Sequence, residues 1–480
     1  MKKLPDSNFF NREFVPERHK FHDGRAKSDI SPPPSRKTLR NGGKMREQEL
    51  IIYREFQKEE SSLLKDMVWL MEHYKEEGRT KKEKAALLYS CIHRMLELAG
   101  NHGFYGNLWH CYLANLLVNS ENSYSMACEV TGKTAGTINK AVLHDITIFK
   151  ELFDYDFSDM VRTLSVEAFE LILDYAGGDD AGRVYNSRIR DRICALAVQF
   201  TRDHTPQEMK DTLTGFYKEY GVGKFGLHKA FRVEHTEAGV EIVPIQKIAH
   251  VYLEDLIGYE IPKQKLIENT EAFVEGRKAN NCLLFGDAGT GKSSSIKGIA
   301  NAYYEKGLRI IELYKHQFQD LNAVITQIKN RKYKFIIYMD DLSFEDFETE
   351  YKYLKAVIEG GLEKKPPNVL IYATSNRRHL IREKFSDKSE GRDDLHKGDT
   401  VQEKLSLASR FGVTIFFAAP DKKEFQNIVE ALAERHHLAM PKEELLLKAN
   451  KWELAHGGPS GRCAQQFIDY LLGRKGNTCQ

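Results

Sequence analysis

The chain has 480 residues, 41% of them hydrophobic and 29% charged, with a net charge of +2. That is too long for one ordinary core and has the composition of a globular protein, so two or three domains are expected, and so even a charge balance argues neither for nor against a nucleic-acid partner. The cysteines at 91, 111, 128, 194, 282, 463 and 479 form no CxxC pair, which points away from a zinc or disulfide framework and toward reduced, buried thiols in a cytoplasmic protein.

Residues 1–44 are polar, irregular and basic, with a Ser31-Pro32-Pro33-Pro34-Ser35 tract. They have too little apolar content for a core and read as a flexible arm. Met1–Phe10 carries lysines but no apolar stretch after them, so no signal peptide is expected. His19, His22 and Asp23 lie in this arm and read as solvated groups rather than metal ligands.

Residues 45–220 read as an all-α domain. Leu63, Leu64, Met67, Leu70 and Met71 recur at three- and four-residue steps, as on one helix face. Ala85–Leu98, Leu108–Leu117, Ala141–Leu152, Val166–Tyr175 and Ile189–Phe200 show the same period. Residues 221–250 form a Gly-rich junction and a small hairpin, Ala230–Val233 with Val240–Val243.

Over 251–420 the texture changes to alternating strand and helix. Cys282–Phe285, Arg309–Leu313, Phe335–Met339, Val369–Ala373 and Val413–Ala418 are five short apolar runs with helical segments between them. Such alternation predicts a five-stranded parallel sheet covered by helices. The longest apolar runs, such as Phe335–Met339 and Ile415–Ala419, are strand-sized and too short to span a bilayer, so no membrane association is expected. Over 421–475 the pattern is helical again, a small appendage of Lys422–His436, Lys442–Leu454 and Ser460–Leu472.

The first of the five strands runs into Gly286, Asp287, Ala288, Gly289, Thr290, Gly291, Lys292 and Ser293, followed by Ser294. This fits G-x-x-x-x-G-K-[ST] at every fixed position, with a strand before it and a helix after it. Glycines let the backbone curl around an anion, and the helix adds its positive N-terminal end. Lys292 would reach the β- and γ-phosphates of ATP, and the Ser293 hydroxyl would ligate Mg²⁺. A second Gly132-Lys133-Thr134 lacks the earlier glycine and reads as a loop.

The strand Phe335–Met339 delivers Asp340 and Asp341. Asp340 would hold Mg²⁺, and Asp341 would orient and deprotonate the attacking water, with Glu345 as a second candidate base. The next strand ends in Thr-Ser-Asn376, where the amide can hold the lytic water or γ-phosphate. Arg377 and Arg378 follow and read as solvated charges. Arg410 precedes the fifth strand. Arg462 lies in the first turn of the last helix, where a cation opposes the helix dipole, and this favours a phosphate-sensing role over a structural one.

With these residues assembled, the chain resembles a bacterial AAA+ family catalogued as a domain of unknown function (number eight-fifteen), within the P-loop NTPases. The matching text is Asp255-Leu-Ile-Gly-Tyr-Glu260, Asn269-Thr-Glu-Ala-Phe273, Ala279–Ser294, Asp340-Asp-Leu-Ser-Phe-Glu345, Asn368–Leu380 and Glu403–Gly412. The resemblance covers roughly Tyr220 to Leu472 strongly and the helical N-terminal part more weakly. It implies an AAA+ core over 251–420 with a helical lid, ATP with Mg²⁺, and Asn376 and Arg462 as sensor residues. It also implies a homo-oligomer in which Arg410 acts in trans on the next subunit's site, and a place against adenine for the segment near Leu256–Tyr259. Other AAA+ proteins carry Asp-Glu where this chain carries Asp340-Asp341, so a shorter acid must sit closer or act through an extra water.

Two functions stay open at this level. One is an ATPase that remodels a protein or nucleic acid, with the N-terminal helical domain as the natural recognition module. The other is a slow switch or loader in which ATP mainly controls assembly.

Overall fold

The computed structural model describes residues 49–54, 56, 58–177, 185–237, 239–245, 251–344, 350–359, 366–376, 380 and 407–474. The expected arm over 1–44, with His19, His22 and Asp23, lies outside the described residues, as do Glu345, Arg377 and Arg378.

Nine helices of the described residues come first: α1 (Lys58–His73), α2 (Lys81–His102), α3 (Leu108–Asn119), α4 (Ser123–Thr131), α5 (Ile138–Phe153), α6 (Ser158–Leu164), α7 (Ser187–Arg202), α8 (Pro206–Tyr220) and α9 (Gly223–Leu227). Local chemistry sets their ends. Thr80 and Glu83 cap α2 reciprocally, and Gly103 closes it in the left-handed conformation. Thr205, Pro206 and Glu208 do the same for the start of α8. One apolar core runs through these helices from Leu50 to Leu227. Within it the buried Asp145 carboxylate accepts the backbone N–H groups of Ile51, Ile52 and Tyr53 at 2.7–3.1 Å. It thereby fixes the chain's entry into the domain.

The helix expected over Val166–Tyr175 is a short 3₁₀ turn, Glu167–Ile172, instead. Ser165 ends α6 in the left-handed conformation (φ 57°), and Tyr175 is drawn into a bridge with Gly106. The chain between these two constraints closes as 3₁₀ turns rather than as an α-helix. Gly132 is the left-handed cap of α4, so the second Gly-Lys-Thr is indeed only a loop.

The strands are β1 (Ala230–Thr236), β2 (Gly239–Pro244), β3 (Cys282–Gly286), β4 (Leu308–Glu312), β5 (Lys334–Met339), β6 (Val369–Ser375) and β7 (Val413–Phe417). Their helices are α10 (Glu260–Val274), α11 (Lys292–Tyr303), α12 (Leu321–Ile328) and α13 (Glu350–Glu359). The sheet is seven-stranded, in the order β2-β1-β4-β5-β6-β3-β7. The expectation of five strands is therefore corrected. The hairpin does not stand apart as a linker, because β1 pairs in parallel with β4 at Ala230↔Ile310, Phe231↔Ile311 and Arg232↔Glu312. Only β1 and β2 are antiparallel among the described pairs.

Alternation on the central strands feeds two cores. Phe335, Ile337 and Met339 of β5 join the cluster on one face, and Ile336 and Tyr338 join the cluster on the other, beside Ile296 and Ile299 of α11. Three last helices, α14 (Lys422–Arg435), α15 (Lys442–Ala455) and α16 (Gly461–Leu472), form their own small core around Phe425, Val429, Phe467 and Ile468. Tyr259 packs against both this core and the α11 face of the sheet.

The helical region and the sheet meet through buried charge. The Arg331 guanidinium lies 3.0 Å from both Glu121 and Glu129 and donates to the Val222 carbonyl at 2.9 Å. Among the described residues no helix is long and apolar enough to cross a membrane.

Candidate functional site

β3 stops at Gly286 because its neighbour leaves no room. A Cβ there would lie 2.1 Å from the Phe417 carbonyl oxygen of β7, and its φ is 136°. Only glycine turns the chain here without parting the two strands. The loop that follows is pinned to the end of β7, where Asp287 Oδ2 accepts the Ala419 N–H at 2.7 Å. Thr290 Oγ1 donates back to the Asp287 carbonyl at 2.8 Å. α11 then begins at Lys292, so its positive end opens into the loop.

Lys292 is only 7% exposed and donates to the carbonyls of Gly286 (3.0 Å) and Asp287 (2.5 Å). Burial lowers its pKa against the opposing pull of Asp287, Asp341 and Asp340. An ammonium has three N–H donors, so one remains for another acceptor.

β6 lies between β3 and β5, with Ser375 level with Phe285 and Ala373 level with Met339. The tip of β6 therefore stands between the loop and the two acids. Asp340 Oδ1 accepts from Ser293 Oγ at 2.7 Å and from Thr374 Oγ1 at 2.6 Å. The Asp341 N–H donates to the same Thr374 oxygen at 2.9 Å, and Asn376 Nδ2 donates to Asp341 Oδ1 at 2.8 Å. Burial works to raise the Asp340 pKa, but the hydrogen bonds from Thr374 and Ser293, the neighbouring Tyr338 hydroxyl and the charge of Lys297 outweigh it and hold the carboxyl below its ordinary value. Asp341 has φ 48°, a left-handed conformation that a non-glycine residue adopts only where its surroundings over-determine it.

The Ser293 hydroxyl and the Asp340 carboxylate are hard oxygen donors held side by side. They fit Mg²⁺, which takes one or two protein oxygens and completes its shell with water and substrate phosphate. Among the described residues no group of three or more His, Cys, Asp or Glu is placed to hold a metal.

Loop and acids border a cavity of about 620 Å³. At one end stand Lys292, Ser293, Asp340, Asp341 and Asn376. At the other, Leu256, Ile257 and Tyr259 face Ile428 and Leu432 of α14, with Asp255, Lys263, Gln465 and Gln466 among the polar groups. Arg462 lines the cavity too, and its backbone N–H donates to the Gly289 carbonyl at 3.1 Å, so α16 rests on the loop. Ser460 caps that helix through the Cys463 N–H.

The structure thus gathers Ala288 to Ser294, Asp340, Asp341, Asn376 and Arg462 around one cavity, with Gly286 and Asp287 at its base. Arg410 sits in the turn before β7 and is not among the lining residues. Sequence reasoning missed Thr374 as the bridge between the two acids, although the two-residue period of β6 marks it as facing the same way as Tyr372 and Asn376. It also missed Lys263, Ile428, Leu432, Gln465 and Gln466, which lie on helices whose spacing alone carries no ligand signal.

A family model described as a protein of unknown function (DUF815) matches residues 226–475. No curated protein matches the chain. Among solved structures, the RuvB Holliday junction branch migration motor of Thermotoga maritima is similar at 14% identity over 46% of this chain and 72% of that chain, with a TM-score of 0.30. A single-substitution variant of the same motor is similar at 15% identity over the same shares, with a TM-score of 0.31.

Proposed function

The chain belongs to the DUF815 family of proteins of unknown function, and we propose that it is an AAA+ ATPase that binds ATP with Mg²⁺, hydrolyses it, and couples the cycle to remodelling a macromolecule. The observation that carries this is the convergence of Ser293 and Thr374 on Asp340 Oδ1, through hydrogen bonds of 2.7 and 2.6 Å, at the mouth of the phosphate loop.

In this proposal the loop Gly286–Ser294 and the N-terminus of α11 cradle the phosphates. Lys292 exchanges its carbonyl partners for phosphate oxygens. The apolar wall of Leu256, Ile257, Tyr259, Ile428 and Leu432 takes the adenine. Bound through Ser293 and Asp340, Mg²⁺ would neutralise phosphate charge. Asp341, oriented by Asn376, accepts a proton from the attacking water, and Arg462 brings the α14–α16 lid onto the γ-phosphate.

Arg410 acts on the site of the next subunit in a homo-oligomer, which its place outside the chain's own cavity supports. The helical region over 45–220 is the recognition module for a protein or nucleic-acid partner. The described cysteines are free and buried, which supports a reducing, cytoplasmic setting.

Steady-state ATPase assays over a range of protein concentrations test this. Activity that rises with concentration and is lost in Lys292→Ala and Arg410→Ala is expected. Wild-type turnover in Arg410→Ala at every concentration would remove the trans role. A second reading, a slow switch or loader, is favoured by one feature. Asp341 is a methylene shorter than Glu and already engaged by Asn376. ATP binding without turnover until a partner is added would select it.

A further inference from the structure

Two tyrosines sit level with each other on neighbouring strands of the same sheet face, Tyr338 on β5 and Tyr372 on β6. Tyr372 is satisfied: its hydroxyl meets Asn269 at 2.9 Å and Thr270 at 3.0 Å. Tyr338 is not. Its side chain is 3% exposed, and its buried hydroxyl has no hydrogen-bond partner among the described residues. A buried phenol normally finds a partner, and an orphan in a well-packed sheet asks for a reason.

The reason lies two residues on. Strand alternation puts Tyr338 and Asp340 on the same face of β5. The phenol is a neighbour of Asp340, Ser293 and Thr374. Yet it closes no hydrogen bond with any of the three. Among the described residues the donors that bond to Asp340, Ser293 and Thr374, both land on Oδ1. The carboxylate's second oxygen is a further acceptor on a residue within reach of the phenol.

We propose that Tyr338 is a positioning residue for the metal-binding carboxylate, whose hydroxyl donates to Asp340 once Ser293 and Asp340 engage Mg²⁺. This rests on the nucleotide-binding function proposed above. Without metal the hydroxyl stays desolvated and unpaired, which costs stability. With metal, a small movement of Asp340 satisfies it, so part of that cost is recovered as metal affinity. No proton changes owner; only a hydrogen bond forms. Removing the hydroxyl must therefore act with opposite sign on the two states, which a merely space-filling tyrosine would not do.

The test is Tyr338→Phe, which keeps the ring. Binding of a fluorescent, non-hydrolysable ATP analogue is followed while Mg²⁺ is titrated, and melting temperatures are taken in a metal chelator. The expected result is a half-saturating Mg²⁺ concentration raised about three- to tenfold, tenfold being about 1.4 kcal/mol, with a metal-free melting temperature equal to or above that of the wild type. An unchanged Mg²⁺ dependence overturns the inference, as does a metal-free form that melts lower with no change in Mg²⁺ dependence. If Tyr338→Phe does not fold, Tyr338→Leu is subject to the same criteria. Lys292→Ala separates this inference from its premise. If wild type and Lys292→Ala bind the analogue alike, the nucleotide site itself is wrong and both ideas fall. If they differ and Tyr338→Phe matches the wild type, the role of Tyr338 alone is refuted.

Discussion

Asn376 donates to Asp341 Oδ1 at 2.8 Å, so the tip of β6 holds the second acid of β5 in place. The same strand fixes the backbone of Asp341 through Thr374 at 2.9 Å, and together these bonds stabilise its left-handed φ of 48°. An acid held at both side chain and backbone is pre-organised, which suits a residue one methylene shorter than Glu.

Asp341→Asn and Asn376→Ala should therefore separate binding from chemistry. Each should lower single-turnover hydrolysis by about a hundredfold or more, in the range of a lost general base. Affinity for the ATP analogue should stay within about threefold, since neither side chain belongs to the phosphate loop. Wild-type hydrolysis by Asp341→Asn would move the base elsewhere.

Lys292 gives a prediction of two signs. Its ammonium is buried, its pKa is lowered chiefly by that burial, and its bonds run to backbone carbonyls. Holding a charge there costs stability in the absence of phosphate. Lys292→Met should weaken ATP binding at least about tenfold, as expected for a charge-assisted contact. The nucleotide-free protein should melt no lower than the wild type. A clear drop in the nucleotide-free melting temperature would show that Lys292 serves mainly to hold the loop together.

Much of this site was readable along the chain because its parts are contiguous. Gly286–Ser293, Asp340-Asp341 and Asn376 each sit at a strand end, where short-range pattern and residue type coincide. Thr374 was not singled out because its role depends on β6 lying between β3 and β5, an order that no local pattern carries. The two strands missing from the expected sheet have the same origin. The hairpin at Ala230 was visible, but its parallel pairing with Ile310 joins segments about eighty residues apart. The orphan hydroxyl of Tyr338 could not be seen in sequence, where Phe335–Met339 is simply an apolar run.

The junction between the helical region and the sheet should be a stability determinant. Arg331 and Glu129 have side chains 2% and 0% exposed and meet at 3.0 Å. Removing one partner leaves a buried charge, so Glu129→Gln or Arg331→Met should cost about 3–5 kcal/mol in urea unfolding. The double variant Glu129→Leu with Arg331→Met should recover a large part of that loss, because the one carboxylate that loses its partner, Glu121, is partly exposed and stays solvated. Equal losses in single and double variants would mean that packing, not charge, dominates the junction.

Acid should loosen the same junction through His228. Burial, with the charges of His102, Arg188 and Arg309 adding to it, pushes its pKa from 6.5 down to about 4. Burial lowers His102 as well. The folded protein therefore keeps His228 neutral in a range where the unfolded chain takes up a proton. Above pH 6.5 both states are neutral there and His228 makes no difference. As the pH falls from about 6.5 to about 4 the unfolded state is favoured, by at most about 1.4 kcal/mol for each pH unit. Below that window both states are protonated and the loss stops growing. Urea unfolding at pH 7.5, 6.0 and 5.0 should show a steeper loss of stability in the wild type than in His228→Gln. Parallel losses in the two proteins would assign the acid sensitivity to other groups.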